Sequence, residues 1–183
     1  YNKAIEIDPE RASSYYWRGN YYSDEKNWEM ALADYKKALE LDLDDDRFLF
    51  QIAYAYGKLE EFDLELSTYL NAIERFGEDN TVYNNIALIY EDDLKNYEKA
   101  IEYFDLAIEL GSMYAYRNKA SLLYEQLDKK EEALELFNKV IEIEPENDYN
   151  YYSRGEYYQD EKNWALALAD YKKALELDLD DDR

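Results

Sequence analysis

The chain has 183 residues, 47% of them hydrophobic, and 44 Asp and Glu against 21 Lys and Arg give a formal net charge of −23. That length and apolar content can build a substantial core, whereas the charge argues against a nucleic-acid partner, whose phosphates need clustered Lys and Arg, and against anionic membrane surfaces. With neither cysteine nor histidine in the sequence, disulfides, thiol chemistry and the commonest general base and transition-metal ligand are excluded, and no apolar run approaches the roughly 20 residues that span a bilayer.

The predicted elements are all helical. Tyr1 to Ile7 reads as the end of a helix without its partner, stopped before Pro9. The chain opens without Met and inside this helix, so a piece of a longer array is expected. A first full unit is predicted over residues 12–45, with one helix from Ala12 to about Glu25 and a second capped by Asn27. The second carries Trp28, Ala31, Leu32, Tyr35, Ala38 and Leu39 at steps of three and four. Gly19 and Ala31 are small residues at which paired helices can approach closely, where larger side chains would push them apart.

The second unit, 46–79, opens with Asp46 as the expected cap of its first helix, whose buried stripe is Ile52, Ala53, Tyr56 and Leu59. Its second helix begins near Phe62 and is expected to stop at Gly77. Glu65 stands where other units have Ala31, Ala100, Ala133 and Ala167. A buried unpaired carboxylate is costly, so it must find a partner or the helix pair must adjust locally. The third unit, 80–113, turns Tyr83, Ile86, Ala87 and Tyr90 inward, carries one extra residue in the turn Asp92–Asn96, and ends at Gly111. The fourth, 114–147, has Lys130 where Trp28, Phe62, Tyr97 and Trp164 stand elsewhere; its stem can cover apolar surface while the ammonium reaches water. Pro145 closes it, and the fifth, 148–183, repeats the first, since Tyr15–Arg47 returns almost unchanged at Tyr151–Arg183.

Three markers hold this register. Tyr1/Ala4, Tyr35/Ala38, Tyr69/Ala72, Phe104/Ala107, Phe137/Val140 and Tyr171/Ala174 step by 34, 34, 35, 33 and 34 residues. Trp28/Ala31, Tyr97/Ala100 and Trp164/Ala167 repeat in register with them, as do Gly19/Tyr22, Ala53/Tyr56, Ala87/Tyr90, Ser121/Tyr124 and Gly155/Tyr158. At these residues the chain resembles the tetratricopeptide repeat family. The resemblance implies an all-α, right-handed superhelical solenoid of antiparallel helix pairs, about five units plus one N-terminal half unit (1–11), forming a single domain over 1–183. A pair in such an array cannot bury its apolar face alone and is stabilised by its neighbours. Both ends look uncapped, so weak head-to-tail self-association is expected.

The resemblance also implies a concave face, made by the first helices, that holds a protein or peptide segment. Spacing places Tyr16 and Asn20 of the first unit there, Phe50 and Tyr54 of the second, and Asn84 and Leu88 of the third. Asn118 and Leu122 of the fourth and Tyr149 and Tyr152 of the fifth follow. Aromatics on a groove bury area at low entropic cost and suit peptide recognition, although the same tyrosines could pack against neighbouring helices instead. Some family members clamp a chaperone's C-terminal carboxylate with Lys, Asn and Arg. Here the matching places carry Tyr16, Asn20, Gln51, Thr81 and Asn85, of which only Asn20 agrees, so that clamp and an acidic tail are not expected.

Asp42, Asp44 and Asp46 alternate as in a calcium loop, but Arg47 and Ala53 stand where the loop needs Gly and Glu, so no metal site is expected. No nucleophile–base constellation or Gly-rich phosphate loop is present, and neither catalysis nor a cofactor is expected. The acidity either keeps an array soluble or selects a basic partner. The expected function is a protein–protein interaction scaffold that binds a basic and apolar peptide. A structural spacer or self-assembling array, or a secretion or assembly chaperone, are the alternatives. Localisation stays open, with the cytoplasm as the working expectation.

Overall fold

The computed structural model describes residues 1–181, with side chains through Asp178; Asp182 and Arg183 of the expected fifth unit lie outside the described residues. Helices and turns alternate throughout. They are α1 (Asn2–Ile7), α2 (Ala12–Asp24), α3 (Trp28–Leu41), α4 (Asp46–Lys58), α5 (Phe62–Phe76) and α6 (Asn80–Leu88). A π-helical turn (Ile89–Asp93) leads on to α7 (Tyr97–Glu109), α8 (Met113–Glu125), α9 (Lys130–Ile143), α10 (Asp148–Asp160) and α11 (Trp164–Asp181). The protein is all-α, as expected. Contacts divide it into two compact units, Tyr1–Val82 and the chain from Tyr83 onward. Among the described residues no helix is long and apolar enough to cross a membrane.

In the first unit α2 pairs with α3 and α4 with α5; in the second α8 pairs with α9 and α10 with α11. The pairs close around small residues. Ala31, Ala38, Ala53, Ala100, Ala107 and Ala133 have no exposed surface. At Gly19 the helices approach so closely that a Cβ would lie 2.6 Å from the Tyr35 ring; Gly155 meets Tyr171 in the same way. Tyr35 is in turn fixed by donating its hydroxyl to Asn20 Oδ1 at 2.9 Å.

Arginine forks reinforce two of these pairs. Arg18 donates to both carboxylate oxygens of buried Asp34 at 2.7 Å and reaches Asn2 Oδ1 of α1 at 2.8 Å. Arg154 repeats the pattern on Asp170 and on Asn138 of α9. Each fork therefore ties both helices of a pair to the preceding helix. A bidentate, charge-assisted pair of this kind supplies partners to both oxygens of a carboxylate that has little exposure to water.

Asn27, Asn96 and Asn163 cap α3, α7 and α11 by accepting from the backbone N–H three residues on. The cap of α4 is Asp45, not Asp46: Asp45 has the extended backbone a cap needs and accepts from the Arg47 N–H, while Asp46 is already helical. Gly77 and Gly111 stop α5 and α7 with φ of +97° and +84°. Sequence reading overlooks a second stop. Lys26, Glu60, Lys95, Asp128 and Lys162 all have positive φ, at the same place in the tight turn within each pair.

Three irregularities find physical answers. The extra residue of the third unit is absorbed as the π-helical turn Ile89–Asp93 at the end of the first helix, before the turn where sequence places it. Glu65 is half-buried over Gly57, where a Cβ would come within 2.6 Å of Glu65 Oε2. The helix pair thus makes room by removing a side chain on the facing helix. Lys130 does not simply reach water: its Nζ lies 2.7 Å from Oε1 of Glu161, the residue that follows α10, an oxygen that also accepts from the Tyr124 hydroxyl.

Gly19→Ala should force the Tyr35 ring aside and cost about 1–3 kcal/mol, read as a lower denaturant midpoint with unchanged helicity. At the positive-φ turn, Lys26→Gly should leave the midpoint unchanged or raise it, whereas β-branched Lys26→Val should lower it by roughly 1–3 kcal/mol. Equal midpoints for those two variants would show that the turn relaxes.

Candidate functional site

The candidate residues fall into two groups that differ in what surrounds them. On the first compact unit, Tyr16 sits between rings of both helix pairs, 6.0 Å from Tyr35 and 5.4 Å from Phe48, with Arg47 stacked 5.4 Å away. Its ring is committed to packing α2, α3 and α4 together. Phe50 meets Tyr69 edge-on. Tyr54 is 45% exposed, held edge-on by Trp28 with the Lys58 ammonium 5.0 Å from its ring. Asn20 lines a cleft of about 440 Å³ with Trp17, Tyr21, Asp24, Tyr35 and Gln51. Trp17 and Tyr21 are exposed and were not among the predicted residues; their spacing of four on a helix is the signal that could have found them.

On the second unit Asn118 donates its amide to Asn84 Oδ1 at 2.9 Å, a rung between α6 and α8. Asn84 is buried, Leu88 half-buried, and Leu122 has no exposed surface, so Leu122 belongs to the core and not to a ligand-accessible face. Beside the rung, between α8 and α10, lies a cleft of about 180 Å³. Its polar lining comes from Arg117, Asn118, Ser121 and Glu125 of α8 and Ser153, Glu156 and Asp160 of α10, with Tyr149 at one side. Tyr149 stacks on Tyr152 with ring centres 6.1 Å apart. Arg117, another residue the sequence reading passed over, is buried between the rings of Tyr114 and Tyr149 and donates to Asn150 Oδ1 at 2.6 Å. It lies 5.1 Å from the centre of the Tyr149 ring, so the cation that lines the cleft is committed to that ring and to Asn150.

The electrostatics of this face are those of crowded carboxylates. Half-buried Glu91, in the π-helical turn, is pushed up to about 7, first by loss of solvent and then by the charges of Asp92 and Glu125, with Lys95 opposing. Among the described residues no group of acidic side chains is arranged to hold a metal ion.

Comparison with known proteins bears on the repeat and the fold. The tetratricopeptide repeat pattern matches residues 12–45 in one form and residues 81–110, 114–147 and 149–181 in another. A search of curated proteins gives no significant sequence match. Among solved structures the chain is similar to YrrB, described as a tetratricopeptide protein with an unusual peptide-binding site, at 27% identity and a TM-score of 0.62, covering 96% of this chain and 91% of that one. It is similar to yeast Tom70 at 25% identity and a TM-score of 0.77, covering 96% of this chain but 38% of Tom70. The likeness to MamA, at 22% identity and a TM-score of 0.67 over 92% of each chain, is one of fold. With the pattern matched over most of its length, the chain belongs to the tetratricopeptide repeat family.

Proposed function

We propose that this protein is a non-catalytic interaction scaffold whose first-helix face holds an extended peptide carrying basic and apolar residues. The observation that supports it best is the cleft beside the Asn84–Asn118 rung, lined by amide, hydroxyl and carboxylate groups of α8 and α10 together with the buried Arg117, with the exposed Tyr149 at its side. Asparagine amides can donate to and accept from a peptide backbone, which gives affinity without reading side chains. Glu125, Glu156 and Asp160 then favour Lys or Arg in the ligand, and the overall charge of −23 steers such a ligand inward. Tyr149 offers a rigid apolar contact at low entropic cost. Peptide binding by YrrB lends this reading a precedent within the fold.

Peptide-display panning against the chain should enrich sequences with Lys or Arg next to an apolar residue. A Glu125→Gln/Glu156→Gln variant should bind them roughly tenfold more weakly and with a shallower salt dependence. Enrichment of acidic peptides, or equal binding by the variant, would overturn the proposal. The crowding also makes a pH prediction. A carboxyl raised from 4.5 to about 7 binds its proton more readily folded than unfolded. Stability should therefore fall as pH rises from about 4.5 to 7, and stay flat above that range. Glu91→Gln should remove this loss, raising the thermal midpoint at pH 8 and leaving it unchanged near pH 4.

A further inference from the structure

Among the described residues three arginines are at least half-buried, and they differ in how their charge is met. Arg18 and Arg154 are each neutralised by the carboxylate they grip, Asp34 and Asp170. Arg117 is the most deeply buried, at 6% exposure, yet among the described residues no carboxylate pairs with it. Its partners are neutral. The guanidinium carbon lies 5.0 Å from the centre of the Tyr114 ring and 5.1 Å from that of Tyr149, and Nη1 donates to Asn150 Oδ1.

Asn150 has no exposed surface, and its own amide is spent on the carbonyls of Val140 and Glu144 at the end of α9, at 3.4 and 3.1 Å. That turns its oxygen towards Arg117. An amide oxygen and two ring faces hold the guanidinium without cancelling its charge. Water and salt screen a buried charge weakly, so its field carries into the cleft that Arg117 lines. The carboxylates of that cleft lie towards its other end. Contacts of Arg117 with Tyr149 and of Tyr124 with Tyr157 show that α8 and α10 run in the same direction. Arg117 and Tyr149 stand near their starts, and Glu125 and Asp160 are their last residues. The eight residues from Arg117 to Glu125 span about 12 Å of helix. That exceeds the Debye length of about 8 Å at physiological salt, so the two ends keep distinct potentials.

We propose that Arg117 is a specificity-determining residue of the peptide cleft: its unneutralised charge reserves the Tyr149 end for an apolar side chain and turns away a second basic one. This rests on the peptide-binding reading above and narrows it. The ligand places one basic residue on the carboxylates of Glu125, Glu156 and Asp160 and its apolar neighbour on Tyr149. A Tyr149 ring that already serves one guanidinium offers little cation–π attraction to another cation. The net charge of −23 would by itself favour a polybasic segment over a mixed one. Within the cleft the nearby cation reverses that order, since like charge brought close is how an interface rejects a wrong partner.

The test uses the whole chain and a labelled peptide with a Lys–Leu pair in a Gly–Ser frame, displaced by unlabelled competitors and read by fluorescence anisotropy. The competitors carry Lys–Leu, Lys–Gln or Lys–Lys at the same place. The parent chain should bind them in that order, with Lys–Lys at least about tenfold weaker than Lys–Leu. Arg117→Gln keeps a donor for Asn150 Oδ1 and removes the charge. It should lift Lys–Lys to or above Lys–Gln, and Arg117→Lys should restore the parent's order. Lost packing would weaken all three peptides alike, so the order and not the affinity is the readout. A parent chain that binds Lys–Lys as well as Lys–Gln would overturn the assignment and leave the peptide cleft standing, and this holds whether or not the variants fold. An Arg117→Gln chain with the parent's thermal midpoint and the parent's order would do the same. Binding of none of the three would remove the cleft reading, and this assignment with it.

Discussion

The structure depends on one constraint: two helices can pair closely only where one of them presents almost no side chain to the other. At Gly19 and Gly155 the facing tyrosine ring lies where a Cβ would be. Around these points alanine after alanine is fully buried. An aromatic lying on bare backbone fills the interface at the density of a protein interior, and a single methylene is felt. Gly57 shows the same rule operating in reverse. Where the second helix brings Glu65 instead of alanine, the first helix gives up its side chain to admit it.

Charge follows from this geometry. Tight pairs leave little room for buried polar groups, and those that are buried come with partners. Asp34 and Asp170 are each gripped by an arginine fork that also reaches the preceding helix, so the ion pairs serve registration between successive helices. Most of the remaining acidity is displaced to the surface, and where it crowds on the first-helix face it raises Glu91. The crowding of carboxylates on this face is the feature on which the proposal of a basic peptide rests.

A repeat of this kind also presents the same surface more than once, in different company. The α2–α3 surface is core because α4 lies on it, and among the described residues no helix lies in the same way on its near-copy on α10 and α11. Composition therefore does not say whether a tyrosine is a core residue or a contact residue. Tyr16 and Tyr152 are the same residue at the same repeat position, yet one is locked between two rings and a guanidinium while the other lines a cavity.

The sequence by itself determined the helical class, the pairing and the family. A period near 34 with small and aromatic residues in fixed places is a statement about which side chains meet, and local pattern carries it. It also located the cap at Asn27 and the close contact at Gly19, since both depend on residues near one another in the chain. Tertiary structure alone decided the rest. The cap of α4 moved by one residue because backbone conformation, not residue type, selects between Asp45 and Asp46. The extra residue of the third unit became a π-helical turn because inserting it within the helix keeps Tyr90 in the core, stacked on Tyr103. Leu122 shares a repeat position with Leu88 and still lost all exposure, since burial is set by the neighbours a helix acquires from distant chain. Those neighbours are a property of packing that no single stretch of sequence contains.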